Sequence, residues 1–236
     1  PRATSWALNL IHMASTSQPV NSVLRDNPSG KEKHLYKIIV LGDYAVGKTA
    51  VIKRYTEGLF TPNYRLTIGV DFASKALNYD DDKDVTLQIW DIAGHERFGT
   101  MTRVYYKFAI AGVLVFDLTR EATFDAVLKW KEDVNNKVVL ANNQNIPLLL
   151  LANKADMPDV TINREMLDEF VKTHGFIGWF PVSAKEGTGI NEAFRFLVDH
   201  ILKISHENVP RPSEETITVT QAEPTTPAKE TKPDCC

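Results

Sequence analysis

From residue 35 onward the chain alternates between short apolar runs and longer stretches with helical spacing. Residues 35–41, Leu-Tyr-Lys-Ile-Ile-Val-Leu, form a β-rich run that stops at Gly42. Residues 48–55 predict a helix directly after it. Residues 71–77 and 85–90 predict two strands around the turn 78–84, close and alternating enough to pair as a hairpin. Residues 111–116 read as a buried strand, and 124–139 carry Phe124, Val127, Leu128 and Trp130 at the spacing of one helix. Strand 147–152, helix 164–174, strand 179–182 and helix 190–204 complete the series. Strands alternating with helices imply an α/β fold, a mostly parallel six-stranded sheet with helices on both faces. The hairpin adds one antiparallel edge strand.

Outside this pattern the periodicity disappears. Residues 1–34, rich in Ser, Asn and Pro, read as a disordered arm, 35–205 as the folded domain, and 206–236 as a flexible tail of Pro, Thr, Glu and Lys. A length of 236 residues suits one domain with tails, and 43% hydrophobic residues is a globular composition. The net charge of -3 argues against a general nucleic-acid binder, which needs a basic face for phosphates. No apolar run approaches the roughly 20 residues of a membrane span. The first twelve residues make a poor signal peptide, and Met13 is a candidate start. Both cysteines, Cys235 and Cys236, stand last, so the folded part carries neither a disulfide nor a cysteine zinc site.

Chemistry concentrates where the first strand ends. Gly42-Asp43-Tyr44-Ala45-Val46-Gly47-Lys48-Thr49 fits GxxxxGK[ST] between a predicted strand and a predicted helix. The glycines let successive N–H groups turn inward toward a β-phosphate, and the helix adds its positive end. Lys48 supplies a charge for β/γ oxygens, and the Thr49 hydroxyl can ligate Mg²⁺. Kinases and ATPases share this loop, so it does not choose the base. Asn153-Lys154-Ala155-Asp156 does, lying just past a strand where open α/β sheets bind ligands. A carboxylate such as Asp156 accepts from both N1–H and the exocyclic amine of guanine, neither of which adenine presents. Ser183-Ala184-Lys185 follows another strand and supports the same reading.

With these motifs in order, residues 35–205 resemble the Ras-like small GTPases, and within them the Rab branch. Arg65-Leu66-Thr67-Ile68-Gly69-Val70-Asp71-Phe72 resembles a first switch, and Trp90-Asp91-Ile92-Ala93-Gly94-His95-Glu96-Arg97-Phe98 a second. The resemblance implies GTP/GDP and Mg²⁺ as ligands. It puts Thr49, Thr67 and Asp91 at the metal, and Lys48, Thr67, Gly94 and His95 around the reacting phosphate. Nucleotide contacts fall to Tyr44, Ala45, Val46, Gly47, Asn153, Lys154, Asp156, Ser183, Ala184 and Lys185, with Phe60 against the guanine ring. It further implies an effector surface of Phe72, Trp90 and Tyr105. Partners would be an exchange factor, a GTPase-activating protein, effectors, a GDP-dissociation inhibitor and an escort protein. Ile92 and the segments 101–107, 126–131 and 174–180 resemble the Rab subgroup serving melanosomes and other lysosome-related organelles.

Two features depart from the family pattern. His95 stands where glutamine normally orients the attacking water; imidazole has a different reach, and its charge varies near neutral pH. Hydrolysis here is mostly positioning, so slow turnover is expected, with a largely GTP-locked scaffold as the alternative. Tyr44 is bulkier than the glycine of Ras-type loops. The cluster 80–84 lacks the glycine and distal glutamate of a calcium loop and reads as a solvated turn, and His34, His174 and His206 read as surface residues. Cys235-Cys236 suit a double geranylgeranyl signal that places the protein on the cytoplasmic face of endosomal or lysosome-related membranes, with a soluble pool. From Ser205 onward three basic residues (Arg211, Lys229, Lys232) face six acidic ones, so hydrocarbon rather than charge must anchor this tail.

Overall fold

The computed structural model describes residues 22–24, 30–63, 65–95 and 102–208. Seven strands make one sheet. In chain order they are β1 (Ser22–Leu24), β2 (Glu32–Leu41), β3 (Val70–Asn78), β4 (Lys83–Ile92), β5 (Ala111–Asp117), β6 (Leu148–Asn153) and β7 (Gly178–Val182). The helices are α1 (Lys48–Glu57), α2 (Thr102–Tyr106), α3 (Glu121–Asp125), α4 (Val127–Asn135), α5 (Arg164–His174) and α6 (Ile190–Asn208). Six strands run in the order β3-β4-β2-β5-β6-β7. All neighbours are parallel except the β3/β4 hairpin, whose register pairs Asn78 with Asp84.

The continuous apolar strands follow from burial on both faces. Ile38, Val40, Val113, Val115, Leu149 and Leu151 point into one cluster with Val51, Ile52 and Tyr55 of α1 and Phe194, Leu197 and Val198 of α6. Their neighbours Ile39, Leu41, Leu114, Phe116, Leu148 and Leu150 point into the other, with Val127 and Trp130 of α4 and Leu167 of α5. Each full burial of such a side chain is worth about 1.5–3 kcal/mol. The sheet therefore rigidly presents the carboxyl ends of β2, β5 and β6.

The structure corrects three expectations. The predicted disordered arm of residues 1–34 is not structureless throughout: Ser22–Leu24 pairs antiparallel with Leu35, His34 and Lys33, and β2 itself starts at Glu32. β4 already covers one edge of β2 from Glu32 to Val40, and β5 covers the other only from Ile38 onward. The short strand satisfies the backbone groups left open on that second edge. His34, expected on the surface, is instead buried at 4% exposure within β2, with its ring nitrogen 2.9 Å from the Tyr36 hydroxyl. Finally, the helix expected over 124–139 is two pieces, 121–125 and 127–135. α4 ends at Asn135, and the Lys137 and Val138 N–H groups both turn back to Val134 O, at 2.9 and 3.0 Å. The chain then forms a turn in which the Leu140 N–H donates to Gln144 O at 2.8 Å, so that Val139 bridges Asn145 instead of continuing the helix.

Candidate functional site

Gly47, within the phosphate loop, is the N-cap of α1 and has a left-handed conformation, φ 96°. A Cβ there would lie 2.4 Å from the Asn153 amide nitrogen, so only glycine fits. No acidic residue occupies the first turn of α1, which leaves its positive end open to an anion. Lys48 is buried at 6% exposure and donates to the carbonyls of Gly42 (2.8 Å) and Asp43 (2.9 Å). Burial lowers its pKa to about 8, while the charges of Asp91 and Asp43 pull upward against that. Gly94 closes the loop from the other side; a Cβ would sit 2.3 Å from the Tyr44 amide nitrogen. His95, next in the chain, is exposed.

Three oxygen side chains converge beside this loop. The Thr49 hydroxyl lies 3.0 Å from that of Thr67 and donates to Asp91 Oδ2, and Thr67 Oγ1 approaches the same carboxylate oxygen at 3.5 Å. Asp91 is 3% exposed, and its Oδ1 is buried with no hydrogen-bond partner. Burial pushes the Asp91 carboxyl above the usual carboxylate range, with the Thr49 hydroxyl and Lys48 opposing the shift. A buried carboxylate with an orphaned oxygen beside two hydroxyls suits a hard divalent cation bound in part through water. The donor set therefore fits Mg²⁺.

The Asn153–Asp156 segment, expected to meet the base, is joined to the phosphate loop through Asn153, 1% exposed at the end of β6. Its amide donates to Val46 O at 2.8 Å, and its Oδ1 accepts from the Ala184 N–H at 3.3 Å. Ser183 Oγ donates to Asp156 Oδ1 at 2.6 Å and accepts from the Glu186 N–H at 3.0 Å. Lys185 stands 3.9 Å from the other Asp156 oxygen. Lys154 takes a left-handed backbone, φ 67°, and pairs with Asp117 Oδ2 at 2.6 Å.

Tyr44, Ala45, Gly47, Lys48, Thr49, Phe60, Thr67, Gly94 and Lys154 line one cavity of about 510 Å³. That volume is in the range of a small-molecule site. Val46, Asn153, Asp156, Ser183, Ala184 and Lys185 form the adjoining loops rather than its wall. The ring of Trp90 meets Phe72 edge-on with centroids 4.5 Å apart, and Trp90 and Tyr105 both pack on the α4-side core. Cys235 and Cys236 lie outside the described residues.

Two supports escaped sequence reasoning. Asp117 ends β5 fully buried, in register with Asn153, and carries both Lys154 and Arg120 (2.9 Å) as well as the Thr119 hydroxyl (2.7 Å). Burial raises its pKa, but Lys154, Thr119 and Arg120 outweigh that and hold the carboxyl below the usual range. Arg120 also donates to Tyr44 O at 2.9 Å and lies over the Tyr44 ring. Asp43 accepts from the indole N–H of Trp130 at 2.8 Å. The available signal was one carboxylate closing an otherwise apolar strand.

The Ras family model matches residues 37–203. The chain is 59% identical over 191 residues to Ras-related protein Rab-32B of Dictyostelium discoideum, covering 80% of this chain and 74% of that protein. It is 50% identical over 205 residues to human Ras-related protein Rab-32, covering 86% and 90%. Human Ras-related protein Rab-7L1 is 46% identical over 180 residues, covering 76% and 89%. The fold agrees with this relationship: the chain belongs to the Ras family, in its Rab branch, and is a GTP hydrolase that binds GTP and GDP.

Proposed function

We propose that this protein is a magnesium-dependent GTP/GDP switch for vesicle traffic to lysosome-related organelles, with hydrolysis slowed by His95. The observation that carries the switch reading is the convergence of Thr49, Thr67 and Asp91. Thr67 belongs to a surface segment, and its hydroxyl is drawn onto Thr49 of the phosphate loop. A segment ordered only while it contacts the γ-phosphate side is the device by which such switches report their nucleotide.

In this reading Thr49 and Thr67 hold Mg²⁺ through their hydroxyls, and Asp91 does so through water. The ion neutralises charge on the β- and γ-oxygens when bound. Lys48 releases the Gly42 and Asp43 carbonyls to meet those same oxygens. The backbone N–H groups of Thr67 and Gly94 donate to the γ-phosphate, and His95 orients water. Guanine lies between Phe60 and the Asn153–Asp156 and Ser183–Lys185 segments, with Asp156 accepting from its two donors. Effectors dock on Phe72, Trp90 and Tyr105; exchange, activating, dissociation-inhibitor and escort proteins act on the cycle. Among the described residues no helix is long and apolar enough to cross a membrane. Two geranylgeranyl groups, on Cys235 and Cys236, would supply the attachment to the cytoplasmic face of the organelle.

The exposed His95 favours one second reading, a scaffold that stays loaded with GTP and recruits effectors with little turnover. Single-turnover GTP hydrolysis, with and without an activating protein, decides between them. Stimulated turnover to GDP supports the cycling switch. Persistent GTP in both conditions supports the scaffold.

A further inference from the structure

Arg54, in the last turn of α1, has no part in the chemistry above, yet it ties the 183–185 loop to the turn that follows α1. Its Nε donates to Ala184 O at 2.9 Å, and one terminal nitrogen donates to Lys185 O. The other donates to Gly58 O at 2.7 Å. Gly187, left-handed at φ +83°, lies against the same side chain; a Cβ there would be 3.4 Å from Arg54 Cδ. One planar fork thus holds consecutive carbonyls of the 183–185 loop and the carbonyl of Gly58, the residue that caps α1. Two residues after Gly58 comes Phe60, in the cavity wall.

The two attachments to the 183–185 loop are complementary. Asn153 holds the Ala184 N–H from the phosphate-loop side, and Arg54 holds the Ala184 carbonyl from the α1 side. Ala184 is thus held through both of its backbone polar groups. A guanidinium can do this because its donors are rigidly arranged, whereas lysine offers a single centre that cannot reach all three carbonyls at once.

We propose that Arg54 is a positioning residue for guanine recognition, setting the separation between the 183–185 loop and the turn leading to Phe60. The inference rests on the guanine-nucleotide reading of the site. Arg54 touches neither phosphate-loop nor metal residues in the contacts above, so its effect should fall on the base half alone.

The test uses full-length protein with Arg54→Ala and Arg54→Lys. Dissociation of a fluorescent GDP analogue is measured with Mg²⁺ and again with EDTA, alongside competition by GDP, IDP and ADP and thermal unfolding. Arg54→Ala should speed release on the order of 10- to 100-fold and narrow the preference for GDP over IDP. The factor by which EDTA speeds release should stay unchanged. Arg54→Lys should fall between, and it carries the test if the alanine variant does not fold. Overturning results are a lower unfolding temperature with unchanged release and selectivity, or a change in the EDTA factor matching the change in release. Wild-type protein that does not prefer GDP over ADP would defeat the guanine reading and this inference together. Wild-type preference with indifferent variants would defeat the inference alone.

Discussion

Asn153→Ala tests how far the two loops act as one site. The wild-type amide spends its donor on Val46 O at 2.8 Å and its acceptor on the Ala184 N–H at 3.3 Å, both in buried surroundings. Alanine orphans two buried backbone groups. Each such loss costs about 1–3 kcal/mol, with the longer bond at the low end, so about 2–4 kcal/mol is at stake. The space beside Gly47 also opens, since the amide sits where a Gly47 Cβ would be. If most of that energy bears on the bound state, GDP release accelerates on the order of 30- to 1,000-fold. Part of it must also appear in the nucleotide-free protein, because Val46 O is orphaned there too. Asn153→Asp keeps an acceptor for Ala184 but turns a second acceptor toward Val46 O, so it should be no better than alanine. Stopped-flow release of a fluorescent GDP analogue, with calorimetric unfolding in parallel, reads both effects. Release within threefold of wild type for Asn153→Ala would refute the coupling of base loop to phosphate loop.

His95→Gln should raise single-turnover GTP hydrolysis roughly tenfold, equivalent to 1.4 kcal/mol of better water positioning; equal rates would remove His95 from the account. Lys37 is 2% exposed, with its ammonium donating to Lys107 O (2.8 Å) and 3.2 Å from the Trp90 ring centroid; burial lowers its pKa to about 7. The unfolded chain, with Lys37 near 10.5, then binds the extra proton between pH 7 and 10.5, so folded stability rises with pH across that window. Lys37→Met should flatten that rise by on the order of a few kcal/mol in pH-dependent unfolding, and an unchanged slope would contradict it. Replacing Cys235 and Cys236 with serine should leave the protein off membranes in a fractionation assay, while membrane retention would sink the two-lipid anchor.

The strands most legible in the sequence were those buried on both faces. Residues 111–116 and 147–152 read as strands because alternate side chains enter different cores, which leaves no polar position in the run. The phosphate loop was legible because its chemistry is local: eight consecutive residues supply turn, charge and hydroxyl. Long-range partners were not. Nothing near His34 in the chain marks it as buried; only the structure shows it in a strand paired on both edges, with Val23 and Val85 in register beside it. Asp117 lies 37 residues from Lys154 and Arg120 lies 76 from Tyr44, the groups they hold, and no short spacing reports that. The end of α4 was misread because Val138 and Val139 continue the apolar spacing, while the backbone turns to close the connection into β6.

The central claim is that this cavity holds a guanine nucleotide. Protein purified without added nucleotide, denatured, and its released nucleotide resolved by ion-exchange chromatography tests it most directly. GDP and GTP together near one per chain is the predicted result. Adenine nucleotide in their place, or an empty protein that takes up no GDP when Mg²⁺ is supplied, would contradict it.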